Sequence, residues 1–247
     1  MTRRHAFAAA LATAAALLAP GAAHAFLGTT IAASGKVVSE SREARGYSGV
    51  AVSLPGTVVV RQAENAPVAI EADDNLMPEI ETVVERGVLR IRFKRNLNVT
   101  GRPTIKVLVT NPAIESLSVA GSGDVLSESI KARAMEVSVA GSGDVRIARL
   151  EADSLAASVA GSGDVKVAGK AAEVKVSIAG SGDVEADRLE ARKAKVSIAG
   201  SGDVSLWVAE TLDASVAGSG DIRYYGDPAL TKKVLGSGSL KRLGRAP

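Results

Sequence analysis

Six aspartates recur about every 20 residues, at Asp124, Asp144, Asp164, Asp183, Asp203 and Asp221. Each sits in the same heptapeptide, first written VAGSGDV at residues 119–125, and a serine opens every copy at Ser118, Ser138, Ser158, Ser177, Ser197 and Ser215. A degenerate seventh copy, LGSGSL, puts Ser239 where the next aspartate would fall. A carboxylate can hold a hard cation, move a proton, or accept hydrogen bonds from backbone amides at a tight corner. Stacked copies would also stack like charges, which costs stability unless something offsets it.

Two readings of the aspartates follow. In the first they are structural: the glycines permit a sharp corner, and the carboxylate accepts from corner N–H groups or a serine hydroxyl. In the second they form a calcium row, because glycine-aspartate turns bind calcium in β-rolls. Those rolls use a nine-residue unit, and one aspartate per copy here supplies few ligands, so no metal site is assigned and calcium is the only cofactor considered. The serines, with the alanines two positions on, should present a flat face of small side chains able to dock a glycan or another protein. Trp207, Tyr224 and Tyr225 are the sole aromatic cluster of the repeats and are expected to plug the end of the core.

Other chemistries are excluded by composition. The chain has no cysteine, and its two histidines, His5 and His24, lie in the first 25 residues. Thiolate and histidine-based nucleophilic sites and the usual zinc sites therefore have no residues to use downstream. Catalysis by carboxylates alone is not expected, since an active site is normally a local exception to a repeat and these aspartates are the repeat itself. Asp73, Asp74, Glu79 and Glu81 read as a turn and a solvated strand face.

The elements that must position the row are strands. Apolar residues alternate with period two around each glycine corner, as at Leu117, Val119 and Val125, while Arg146, Lys166, Glu185 and Arg223 occupy outward positions. Several short strands per unit of about 20 residues predict an all-β fold, a right-handed parallel β-helix, or solenoid, over 113–247. Residues 47–112 read as a β-rich N-terminal cap, with a hairpin of 79–84 and 88–93 around the turn ERG. Residues 26–46 read as a loose linker, and 1–25 as a signal peptide with Arg3 and Arg4, an apolar run and an A-x-A end at Ala25. Loss of Arg3 and Arg4 lowers 30 Lys+Arg to 28 against 27 Asp+Glu, a balance that gives no reason to expect a nucleic-acid partner. No later stretch has the length of a membrane span.

The reiterated AGSGDV, the preceding YSGVAVSLPGTVVVRQ and DDNLMPEIETVVERGVLRIRF, and the closing YYGDPALTKKVLGSGSL resemble the bacterial family called putative auto-transporter adhesin, head GIN domain, over about 47–240. The resemblance implies an exported β-helical domain with an adhesive role, periplasmic or extracellular, without catalytic residues. An auto-transporter needs a C-terminal membrane barrel, and no such run of strands is read before Pro247. The expectation is an adhesin-like or envelope-associated binding module whose partner is a glycan or protein. The alternatives are a periplasmic structural or envelope-stress protein and a polysaccharide-processing β-helix enzyme.

Overall fold

The computed structural model describes residues 29–247, so the candidate signal peptide lies outside the described residues. Among those residues the regular structure is all β-strand, apart from one 3-10 turn at Met77–Glu79. The repeats stack in parallel and in register: Ser118 lies beside Ser138, then Ser158, Ser177, Ser197 and Ser215. Each coil runs through three limbs. In the coil from Leu155, a first limb reaches Gly161, the Ser162-Gly163-Asp164 corner turns the chain, and a second limb carries Val165 and Val167 inward. A bulge near Gly169 begins the third limb, which returns to the start of the next coil. Val, Ile, Leu and Ala fill the inward positions, so each coil buries its apolar side only against its neighbours.

The N-terminal region departs from a separate cap. Gly49–Ser53 and Thr57–Gln62 form a coil of the same stack, parallel to Ser116–Gly121 and Asp124–Ser127. On the other side of that coil lie Val88–Phe93 and Ile105–Asn111, again parallel. Chain order and stacking order therefore differ: residues 49–62 come first in sequence but sit between 88–111 and 116–127. Antiparallel strands close this end, with Ile80–Glu85 on Val88–Phe93 as the hairpin reading expects, and Val68–Asp73 on Ile105–Asn111.

Residues 29–46 of the segment expected to be a loose linker are tied down. Thr29–Ala32 pairs with Leu97–Thr100, and Val37–Arg42 pairs antiparallel with Val68–Asp73. Two side chains explain this. Asp73 is fully buried and accepts from the amides of Gly35 at 2.6 Å and Thr104 at 2.8 Å, while Arg42 donates to the carbonyls of Ile80 and Met77. Asp73 is thus more than the turn residue its sequence neighbourhood implies.

The C-terminal end is finished differently. Ala229–Gly236 and Leu240–Gly244 form the last coil, and their outer edges have no strand partner among the described residues. Register places Lys232 on Ala214, a position that is apolar in every coil from Leu117 onward, and Arg242 on Tyr224, in the row of Ile147 and Val167. A further coil stacked here would bury two cations, which blunts the edge against another strand. Replacing both, Lys232→Val with Arg242→Leu, should make association rise with protein concentration relative to the parent in light scattering; unchanged association would show that these cations do not terminate the stack.

Candidate binding surface

The corners explain the repeated residues. Three successive amides at each corner need acceptors in the preceding coil. Those of Ser142 and Gly143 both reach the Gly121 carbonyl, at 2.8 and 2.9 Å, and every later corner repeats this pair. At the first corner the third amide, of Asp124, reaches the Gly56 carbonyl at 2.8 Å, but from Asp144 onward no carbonyl meets it. Asp144 N–H instead donates to Asp124 Oδ1 at 3.2 Å, Asp164 to Asp144 at 3.0 Å, Asp183 to Asp164 at 2.9 Å, Asp203 to Asp183 at 2.7 Å, and Asp221 to Asp203 at 2.9 Å. The last carboxylate, Asp221, receives both the amide and the hydroxyl of Ser239 at 2.8 Å. The aspartate side chain is the acceptor that the turning backbone lacks.

Glycine is required by the same stacking. Gly161 has φ +133°, and a Cβ at Gly163 would collide with the carbonyl oxygen of Gly143 directly beneath it. Charge in the row is offset by neighbours: Arg146 pairs with Asp144 at 2.7 Å, and Arg223 with Asp203. With one oxygen of each carboxylate committed to backbone, the described residues gather no group of three acidic side chains able to surround a cation.

The six serines lie on the outer face of the first limb, with Ala120, Ala140, Ala160, Ala179, Ala199 and Ala217 beside them in register. These two rows contain no charge over six coils. Ser158, Ser177 and Ser197, in the middle, are exposed. Beyond the last repeat the rows end in Lys233 and Leu235, aligned with Ser215 and Ala217. Of the aromatic cluster, Tyr224 points inward and is buried, and Trp207 and Tyr225 are neighbours in register and half-buried.

A groove of about 1060 Å³ runs along the stack where the third limb bends into the first. It crosses six levels, from Glu115 to Thr211, or about 24 Å at the spacing of adjacent strands. Its N-terminal part carries Glu115, Arg133 and Glu136, its middle only Ser154, Leu155 and Ala156, and its C-terminal part Glu173, Lys175, Lys193 and Lys195. Sequence reading missed this groove because no motif marks it. The signal was the variable residue two places before each serine, where Glu136, Ala156, Lys175 and Lys195 fall in one row.

These contacts set three expectations. Asp164→Ala strips the acceptor from the Asp183 amide and should cost about 1 kcal/mol in denaturant unfolding, whereas Asp164→Asn keeps an acceptor and should cost less. Gly163→Ala should cost about 3 kcal/mol in the same assay. The Ser239 hydroxyl and amide, helped by Arg223, hold the Asp221 carboxyl below the usual carboxylate range. Its folded form therefore titrates below its unfolded form, so its contribution is intact above the ordinary value and is lost as pH falls through the depressed one. Asp221→Asn should accordingly flatten the acid limb of the stability profile. Melting temperatures in millimolar calcium and in chelator should coincide; a rise with calcium would return the metal reading to the row.

No curated protein matches the chain in sequence. Among solved structures, a "putative adhesin" from Bacteroides fragilis NCTC 9343 is 26% identical with a TM-score of 0.81, over 86% of this chain and 100% of that one. A "putative lipid binding protein" from Parabacteroides distasonis ATCC 8503 is 27% identical with a TM-score of 0.73, over 87% and 100%. A "putative adhesin" from Parabacteroides merdae ATCC 43184, 19% identical over 87% and 100%, shares the fold with a TM-score of 0.67. A family model matches residues 46–228, and on that match the chain belongs to the family described as "Putative auto-transporter adhesin, head GIN domain".

Proposed function

We propose that this protein is an exported, non-catalytic, adhesin-like module of the cell envelope that holds a glycan or protein partner against the Ser/Ala face and the groove beside it. The observation that carries this reading is the unbroken, charge-free face of small residues, Ser118 to Ser215 with Ala120 to Ala217, set on strands that are paired on both sides. Such a face has little side-chain entropy to lose on docking, and its backbone is already fixed by the stack. Family membership and the adhesin neighbours support a binding role over a chemical one. The groove exposes the charged side chains of Glu136, Lys175 and Lys195, while its larger apolar residues Met135, Leu155 and Val174 are buried, which suits a polar chain better than a lipid tail.

A repeat in which the same carboxylate occurs at every corner, engaged by the backbone each time, offers no singular acid-base pair. The reading is tested in cells and on the purified protein. Protease added to intact cells should degrade the protein while a periplasmic control survives, and protection would confine it to the periplasm and remove the adhesin role. Ser158→Trp with Ser177→Trp, which breaks the flat face without touching the core, should abolish adherence of protein-coated beads to cells or matrix with the melting temperature unchanged. Undiminished adherence would move the site off this face.

A further inference from the structure

We propose that the C-terminal half of the groove, at Lys175, Lys193 and Lys195, is the subsite for a linear acidic polysaccharide. The proposal deepens the binding role inferred above by naming the ligand's chemistry. Lys175 and Lys195 are direct cross-strand neighbours, and like charges so placed repel. Several other cations of the repeats are neutralised across coils: Lys131 by Glu151, Lys170 by Glu190 and Arg192 by Glu210, all within 2.9 Å. Arg146 and Lys166, also cross-strand neighbours, are taken up by Asp144 and Glu185. In the groove, Lys195 reaches Asp213 only at 3.5 Å, and Lys175 and Lys193 have no carboxylate partner among the described residues. Even Glu173, beside Lys193 in register, forms no ion pair with it. An anion lying along the groove would relieve the repulsion that the chain itself leaves in place.

The surroundings select a polysaccharide over a peptide. The groove strands are paired on both sides, as 150–161 is by 130–141 and 169–180, so no backbone edge is open for strand addition. The apolar residues of the lining, Met135, Leu155, Val174 and Ala194, are buried, so they present no open pockets for the anchors of an amphipathic helix. It also lacks an aromatic residue, which leaves a neutral glycan without a stacking platform. Hydroxyls and amines together match a chain of hydroxyls and carboxylates. At the other end of the groove Glu115 and Glu136 outnumber Arg133, and this net negative charge would disfavour that chain and hold it to the lysine half.

The test is titration calorimetry of the purified protein with alginate and polygalacturonate oligomers, beside dextran and poly-L-glutamate. Binding to the acidic polysaccharides is expected to weaken with salt, and dextran should not bind. Lys175→Glu with Lys193→Glu should lower affinity by about tenfold or more, while Lys131→Glu with Lys166→Glu, an equal charge change off the groove, should leave it within about twofold. Matching melting temperatures would show that both variants fold. Parent-like binding by the groove variant would overturn the proposal, as would equal or tighter binding of poly-L-glutamate, which would assign the site to an acidic peptide. Absence of acidic-polysaccharide binding alongside retained, face-dependent adherence would sink the subsite and leave the adhesive role standing.

Discussion

The whole stack depends on one unmet hydrogen bond. A chain that turns sharply at the same place in every coil presents three amides to the coil beneath, and the glycine carbonyl there can take two of them. The third would be left without a partner at a cost of about 1–3 kcal/mol if buried. The aspartate side chain fills that gap, and since from Asp144 onward each aspartate's own amide needs the aspartate of the preceding coil, the solution is repeated at every later level, the series starting from Asp124, whose amide reaches the Gly56 carbonyl. The serine at 239 closes the series by giving the last carboxylate two donors. Glycine at the two flanking positions follows from the same close approach, so the recurring G-S-G-D is one steric and hydrogen-bonding requirement written six times.

That requirement frees the rest of the coil. With the corner holding coils in register, outward positions are released from structural duty and can carry a flat face in one place and a charged groove in another. The alanine that precedes each corner and the serine two places before it build the face, and the variable position two places before that serine sets the charge of the groove wall. The proposed binding role thus falls on the least regular outward row, beside the most regular one. This division suits a family and solved neighbours that share a scaffold and are described by binding roles, adhesion in some and lipid binding in one.

Much of this was legible in the sequence because a repeat makes long-range contacts local to read. The period fixes which residues stack, so the aspartate and serine rows and the parallel solenoid follow from counting. What was hidden depends on contacts that no period encodes. The strands at 29–32 and 37–42 are short, polar and without clear alternation, and Asp73 and Arg42 tie this region to segments distant along the chain. The placement of 49–62 between 88–111 and 116–127 needs a reversal of stacking order that adjacent sequence cannot announce. The inward cations are an intermediate case: extending the repeat by one unit from Ala214 lands on Lys232, but that residue is informative only once the row is known to face the core.

Because each level of the stack is joined to the next by the same few bonds, the number of levels is not fixed by the architecture. One whole unit can be gained or lost between two corners and the remaining coils will still meet in register. The unequal spacing of the natural corners already shows that the returning limb absorbs small differences through its bulge. Each added unit lengthens the domain by about 4.8 Å. The molecule behaves as a molecular ruler whose graduations are the aspartates, and relatives could differ in reach without any change in the chemistry that holds them together.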